Sequence, residues 1–186
     1  MKSKTLVQRI APIGYGLLLL GLIAAPFMGA YPVFVMKLMC FALFASAFNL
    51  LLGYTGLLSF GHAAFLGGAA YIAGYSIKAW GVTPEIGMLL GTVFGGLLGL
   101  VFGWLAIRRQ GIYFSMITLA LAQMLFFVAL QAKFTGGEDG LQGVPRGKLF
   151  GLIDLSSDLV MYYVALAVVT VAFMLIVRTI HSPFGQ

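Results

Sequence analysis

Charge is what this sequence has least of. Of its 186 residues 9% are charged, as 5 acids and 11 bases. A soluble domain carries about 25% charged residues, because its surface faces water. So few charges cannot cover a globule of this length, and a soluble fold is excluded. Acids are missing altogether from the long apolar runs. Glu85 sits at the edge of one run, and Glu138, Asp139, Asp154 and Asp158 lie in or next to a single loop. Carriers driven by protons or sodium commonly use buried acids as relays or coupling sites. Their absence favours a passive path, or one driven by a partner.

Reactive groups are equally scarce. Cys40 is the one cysteine, which excludes an internal disulfide. His62 and His181 are too isolated in sequence to suggest a metal site. There is no GxxxxGK[ST] to cradle nucleotide phosphates and no HExxH. The run Gly-Gly-Glu138-Asp139-Gly lacks the alternating acids and terminal Glu of a calcium loop. Nothing points to catalysis, and an enzyme is not expected. The bases stand singly or in pairs between apolar runs, as juxtamembrane anchors do, so the net charge of +6 implies no nucleic-acid partner.

What the sequence has is apolar length. Hydrophobic residues make up 61% of it, and the mean hydropathy is +1.05. Its 25 glycines exceed the roughly 7% average usage, and glycine is enriched in membrane helices. A lipid-facing surface needs no polar cover. The expected fold class is all-α, a polytopic membrane protein.

Charges divide the chain into spans. Residues 38–77 form 40 uncharged positions, residues 86–107 form 22, residues 110–132 form 23 and residues 159–177 form 19. A span takes about 20 residues, so the run of 40 holds two, broken at Gly53-Tyr-Thr-Gly56. Ahead of them lie 26 uncharged residues, Ala11 to Met36, longer than a signal-peptide core. Pro26-Phe-Met-Gly-Ala30 offers no clear cleavage site, so this run reads as an uncleaved first helix. The spacing predicts six helices, over 11–30, 33–52, 59–79, 86–107, 111–132 and 158–178, in one transmembrane domain, 1–186. Their one long connection, 133–157, carries six glycines, Pro145 and charges, and is expected to be a water-exposed loop. With the N-terminus inside, six bases (Lys2, Lys4, Arg9, Arg108, Arg109, Arg178) face Lys78, Lys133, Arg146 and Lys148 outside. A re-entrant 53–77 would make it seven against three, so the charge rule does not choose.

Two sets of residues stand out within the spans. Gly91, Gly95, Gly99 and Gly103 repeat every four residues in helix four. Such a row lets a neighbouring helix approach closely, within the chain or in a subunit contact. Asn49, Ser115, Thr118 and Gln123 are polar groups at membrane depth, with Ser59 and His62 at the broken entry to helix three. Each must find a partner or a wet cavity. They are candidates either for interhelical hydrogen bonds or for lining a substrate path.

Four stretches in order carry a resemblance. They are Asn49-Leu-Leu-Leu-Gly53-Tyr-Thr-Gly56-Leu-Leu-Ser59-Phe-Gly61-His62-Ala-Ala-Phe65, Arg109-Gln-Gly111-Ile-Tyr-Phe-Ser-Met-Ile-Thr118-Leu, Thr135-Gly-Gly-Glu-Asp-Gly140-Leu and Ser182-Pro-Phe-Gly185. From about residue 38 onward the chain resembles the permease subunit of branched-chain amino acid ABC importers, of the LivM type. The resemblance implies a multi-pass subunit of the bacterial inner membrane, beside a sister permease subunit, two cytoplasmic ATPase subunits and a periplasmic substrate-binding protein. ATP would be bound by partner subunits, leaving this chain without a cofactor. The resemblance also places both termini in the cytoplasm, which requires six full spans. Permeases for urea and short amides look much alike in these motifs. A small channel or secondary carrier is the rival from another class. Family members continue well past the point where this chain stops, at Gln186, so a truncated or partial permease is expected.

Overall fold

A computed structural model describes residues 6–108, 111–151, 153–180 and 182, without the side chains of residues 6–13, 54 and 55. Six helices form its framework: α1 (Leu6–Ala24), α2 (Pro32–Thr55), α3 (His62–Trp80), α4 (Pro84–Ala106), α5 (Ile112–Gln131) and α6 (Asp158–Ile180). Four of them, α2, α4, α5 and α6, are long and apolar enough to cross a membrane. In α1 the described apolar part, Gly14–Ala24, is shorter. At 19 residues, α3 is about 28 Å long, close to the ~30 Å of a bilayer core. Its Tyr71, Tyr75, Ser76 and Lys78 make it less apolar, and it is the helix most enclosed by protein.

Local chemistry sets the ends. Pro32 and Pro84 open α2 and α4, where the missing N–H is no loss and the fixed φ suits a first turn. The first helix ends at Ala24 rather than continuing to residue 30. Pro26 cannot donate to a helical carbonyl and drives residue 25 out of the α region, so the apolar run turns at 25–29 instead. The break inside the run of 40 falls at Gly56, the last residue of the expected Gly53-Tyr-Thr-Gly56 interruption. There φ is 65°, and the Gly56 N–H caps the Leu52 carbonyl at 3.2 Å, a left-handed helix end that favours glycine. Residues 57–61 then run without helix, so Ser59 lies in this link rather than in α3 as the predicted 59–79 would have it.

The helices pack as two groups. In one, α2 lies along α6, and α1 joins them where the Tyr162 hydroxyl donates to the Leu22 carbonyl at 2.5 Å. Val35, Met39, Tyr162 and Leu166 are the buried core there. In the other, α3 packs along α4 and both meet α5. Their contact is built from small residues in antiparallel register. A Cβ added at Gly87 would lie 2.5 Å from Ile77 Cγ1, and one at Gly91 would lie 2.7 Å from the Ala69 carbonyl oxygen. At Gly95 it would meet Ala69 Cβ at an ordinary 3.5 Å, and at Gly99 and Gly103 nothing lies within 4 Å. The expected four-glycine face is therefore shifted: it runs 87, 91, 95 and leaves Gly99 and Gly103 open. At 3.6 residues per turn, a step of four drifts about 40° around the helix, so the row winds off the contact within a few steps.

The long connection is more ordered than a plain surface loop. Two 3-10 turns, Lys133–Thr135 and Gly137–Asp139, precede a short antiparallel hairpin, β1 (Lys148–Leu149) with β2 (Ile153–Asp154). The loop lies back on the ends of α3 and α4. Lys78 Nζ donates to the Gln142 carbonyl at 2.6 Å, Leu141 and Val144 crowd Gly74, and the Phe150 N–H donates to the Glu85 carboxylate. Arg146 closes the loop on Asp158 at 2.5 Å. The N–H and hydroxyl of Ser156 both donate to Asp154 and hold its carboxyl below the usual carboxylate range, the hydroxyl contributing most.

Candidate functional site

The link 57–61 is where most of the polar candidates meet. α5 runs past it, and two hydroxyls one helical turn apart fasten it. Ser115 Oγ donates to the Leu58 carbonyl at 2.6 Å. Thr118 Oγ1 accepts the Phe60 N–H at 3.2 Å and donates to the Ser115 carbonyl at 3.0 Å. The Gly61 N–H donates to Ser59 Oγ at 3.2 Å. A non-helical stretch at membrane depth leaves its N–H and C=O groups without ladder partners, and protein groups must replace them. These hydroxyls do so. Ser59, Ser115 and Thr118 are buried at 3%, 9% and 2% exposure, which places them inside the protein and not on an open wall.

His62 follows directly, at the start of α3. Its ring sits among Phe48, Phe65 and Phe44, with centroids at 5.3, 5.8 and 6.2 Å. Phe44 and Phe48 belong to α2, so this box joins the two helix groups. Nδ1 is buried and has no hydrogen-bond partner among the described residues.

Gln123 is set apart from that cluster. It lines a groove of about 290 Å³ between α3 and α5. Phe60, Ala64, Gly67, Gly68 and Phe94 form much of one wall, and Leu119, Ala122 and Phe126 much of the other. Gly67 and Gly68 keep the α3 wall thin. Tyr71, Phe134 and Thr135 close the end nearest the long loop, where the buried Thr135 hydroxyl donates to the Ala129 and Ala132 carbonyls. Gln123 is exposed to this groove and Asn49 is exposed on α2. Neither amide makes a side-chain hydrogen bond within the described residues.

The candidates therefore divide. Ser59, Ser115 and Thr118 come together with His62 beside them, whereas Asn49 and Gln123 stand apart. Sequence reasoning did not single out Gly87, Tyr71 or Thr135. Gly87 was legible, because it precedes Gly91 by the same four residues, and Thr135 opens the Thr-Gly-Gly-Glu-Asp-Gly stretch. The start of the Arg109-Gln110 stretch, His181 and residues 183–186 lie outside the described residues.

Six helices, mostly apolar on the outside and folded around a broken segment held by hydroxyls, define a multi-pass helical membrane protein. Residues 32–186 match the family described as branched-chain amino acid transport system / permease component, and the chain belongs to that family. It is similar to the high-affinity branched-chain amino acid transport system permease protein LivM of Salmonella typhimurium strain LT2, with 25% identity over 195 residues, 88% of this chain and 44% of that protein. The protein of the same description from Escherichia coli strain K12 is 24% identical over 176 residues, 80% of this chain and 40% of its own length. The matched region thus spans less than half the length of these relatives. No solved structure matches the chain at a significant level.

Proposed function

We propose that this chain is part of a permease subunit of an ATP-driven importer for branched-chain or related amino acids, and that the α3–α5 groove belongs to its translocation path. The observation carrying this reading is the groove itself, apolar on most sides with one amide, Gln123, at mid-span. An unpaired amide is costly in lipid, and a wet path or a ligand removes the cost. The apolar walls suit an aliphatic side chain, and Gln123 offers both a donor and an acceptor to a polar end. The permease itself would bind no nucleotide. Energy would come from two cytoplasmic ATPase subunits, substrate from a periplasmic binding protein, and the rest of the pathway from a sister permease subunit. Family membership and the lack of acids within the apolar runs support this arrangement.

In a full-length assembled transporter, Gln123→Leu is expected to reduce uptake of radiolabelled leucine at least ten-fold while subunit assembly is unchanged. Uptake at the parental rate would remove the groove from the path. Loss of assembly would make Gln123 an interhelical contact instead.

Both termini are assigned to the cytoplasm in this reading, and the long loop to the periplasm, in the bacterial inner membrane. In a Cys40→Ser background, Glu138→Cys should react with a membrane-impermeant thiol reagent on intact spheroplasts, and Ile107→Cys only after permeabilisation. The opposite pattern would invert the topology.

A further inference from the structure

A second groove, of about 660 Å³, lies between α1, α2 and α6, well away from the α3–α5 groove. Its walls are apolar, among them Leu18, Leu43, Val169 and Phe173. Its two aliphatic hydroxyls are already engaged within their own helices, Ser46 donating to the Ala42 carbonyl at 2.8 Å and Thr170 to the Leu166 carbonyl at 2.7 Å. Neither donor is free for a polar occupant. One end is blind, closed by Met39 and Leu166 of the buried core, where Tyr162 ties α6 to α1. At the other end stands Arg178, in the last turn of α6 and exposed. From Leu166 to Arg178 is 12 positions on α6, a depth of about 18 Å, against ~15 Å for one leaflet of a ~30 Å hydrocarbon core.

Charge decides what this shape can hold. All five acids of the chain, Glu85, Glu138, Asp139, Asp154 and Asp158, lie in or beside the long loop, at the end of the bundle opposite Arg178. Among the described residues the one ion pair is Arg146 with Asp158, also at that far end. Among the described residues Arg178 therefore meets no carboxylate, and its planar fork matches a phosphate.

We infer that the α1–α2–α6 groove binds an anionic phospholipid, one acyl chain lying in the groove and the phosphate held by Arg178. The blind apolar end takes the chain terminus, and Arg178, the one basic side chain at the mouth among the described residues, fixes the headgroup at the membrane surface. A basic residue at this depth reaches the interface by extending its side chain.

Native mass spectrometry of the full chain, with phosphatidylglycerol or phosphatidylcholine added to the detergent, tests this. The parent should keep one phosphatidylglycerol at activation energies that strip phosphatidylcholine. Arg178→Gln should lower phosphatidylglycerol retention at least five-fold. Arg108→Gln, whose guanidinium lies 4.8 Å over the Trp104 ring outside the groove, should not lower it. Thr170→Phe, which fills the groove, should abolish retention with helical circular dichroism preserved. Equal retention of the two lipids by the parent, or unchanged retention in Arg178→Gln, would overturn the assignment. A lipid-free dimer that Thr170→Phe dissociates would give the groove to a second copy of the chain, and would overturn it too.

Discussion

Gly91→Leu should remove most of the folded, monodisperse protein recovered in detergent, whereas Gly99→Leu should leave the yield close to that of the parent. Both are glycines in the same row on α4, and by composition alone they are equivalent. Their surroundings differ. A Cβ at position 91 would lie 2.7 Å from a backbone oxygen of Ala69 and 3.0 Å from Ala73 Cβ. Neither atom can turn away as the end of a long side chain can, so α3 and α4 must separate along their length. Overpacking a closed contact costs about 1–3 kcal/mol, and a separated pair also loses the packing that holds membrane helices together in the absence of a hydrophobic drive. Gly87→Leu should be nearly as harmful, though its neighbour is the Ile77 side chain, which has rotamers to use. Size-exclusion profiles and melting curves of the variants measure the order. Equal losses at 91 and 99 would mean that the α3–α4 contact lies elsewhere on α4.

Much of the framework was legible because bilayer thickness and charge cost act on each span separately. Helices α2 to α6 fall within three residues of their predicted limits, since Pro32, Pro84 and the flanking charges mark where an apolar stretch must stop. The first helix was misplaced because hydropathy counts Phe27 and Met28 as apolar but takes no account of Pro26 upstream. Within the chain the glycine contact uses Gly87, Gly91 and Gly95 and not Gly99 or Gly103, because a repeat of four drifts around a helix of 3.6 residues per turn. The fold of the long loop was hidden for another reason. Its hairpin and the Lys78, Glu85 and Arg146 contacts depend on which helix ends lie side by side, and local sequence does not contain that information. Among the polar residues, sequence could say that each needed a partner. It could not say that Ser115 and Thr118 would satisfy the backbone of residues 58–60 while Gln123 would face a groove.

That difference sets the second large effect. Thr118→Val should lower the melting temperature of the detergent-solubilised chain by several degrees, and Thr118→Ser should restore most of it. Valine keeps the shape of threonine, so packing is little changed, but the Phe60 N–H loses its acceptor at 3.2 Å and the Ser115 carbonyl loses a donor at 3.0 Å. Stranding a buried backbone group costs about 1–3 kcal/mol, and ~1 kcal/mol shifts the melting point of a chain this size by about 2–4 °C. Ser115→Ala removes the other fastening, the bond to the Leu58 carbonyl, and should act in the same direction. Because both hydroxyls hold one short link, they cannot act independently. Once residues 58–60 are released at one point, the second hydroxyl has less to hold, so the double variant should lose less than the sum of the two single losses. Coupling between residues of one hydrogen-bond network is typically 0.5–3 kcal/mol. Strict additivity would show that Ser115 and Thr118 satisfy separate groups, and an unchanged melting point for Thr118→Val would show that the link is held by something other than these hydroxyls.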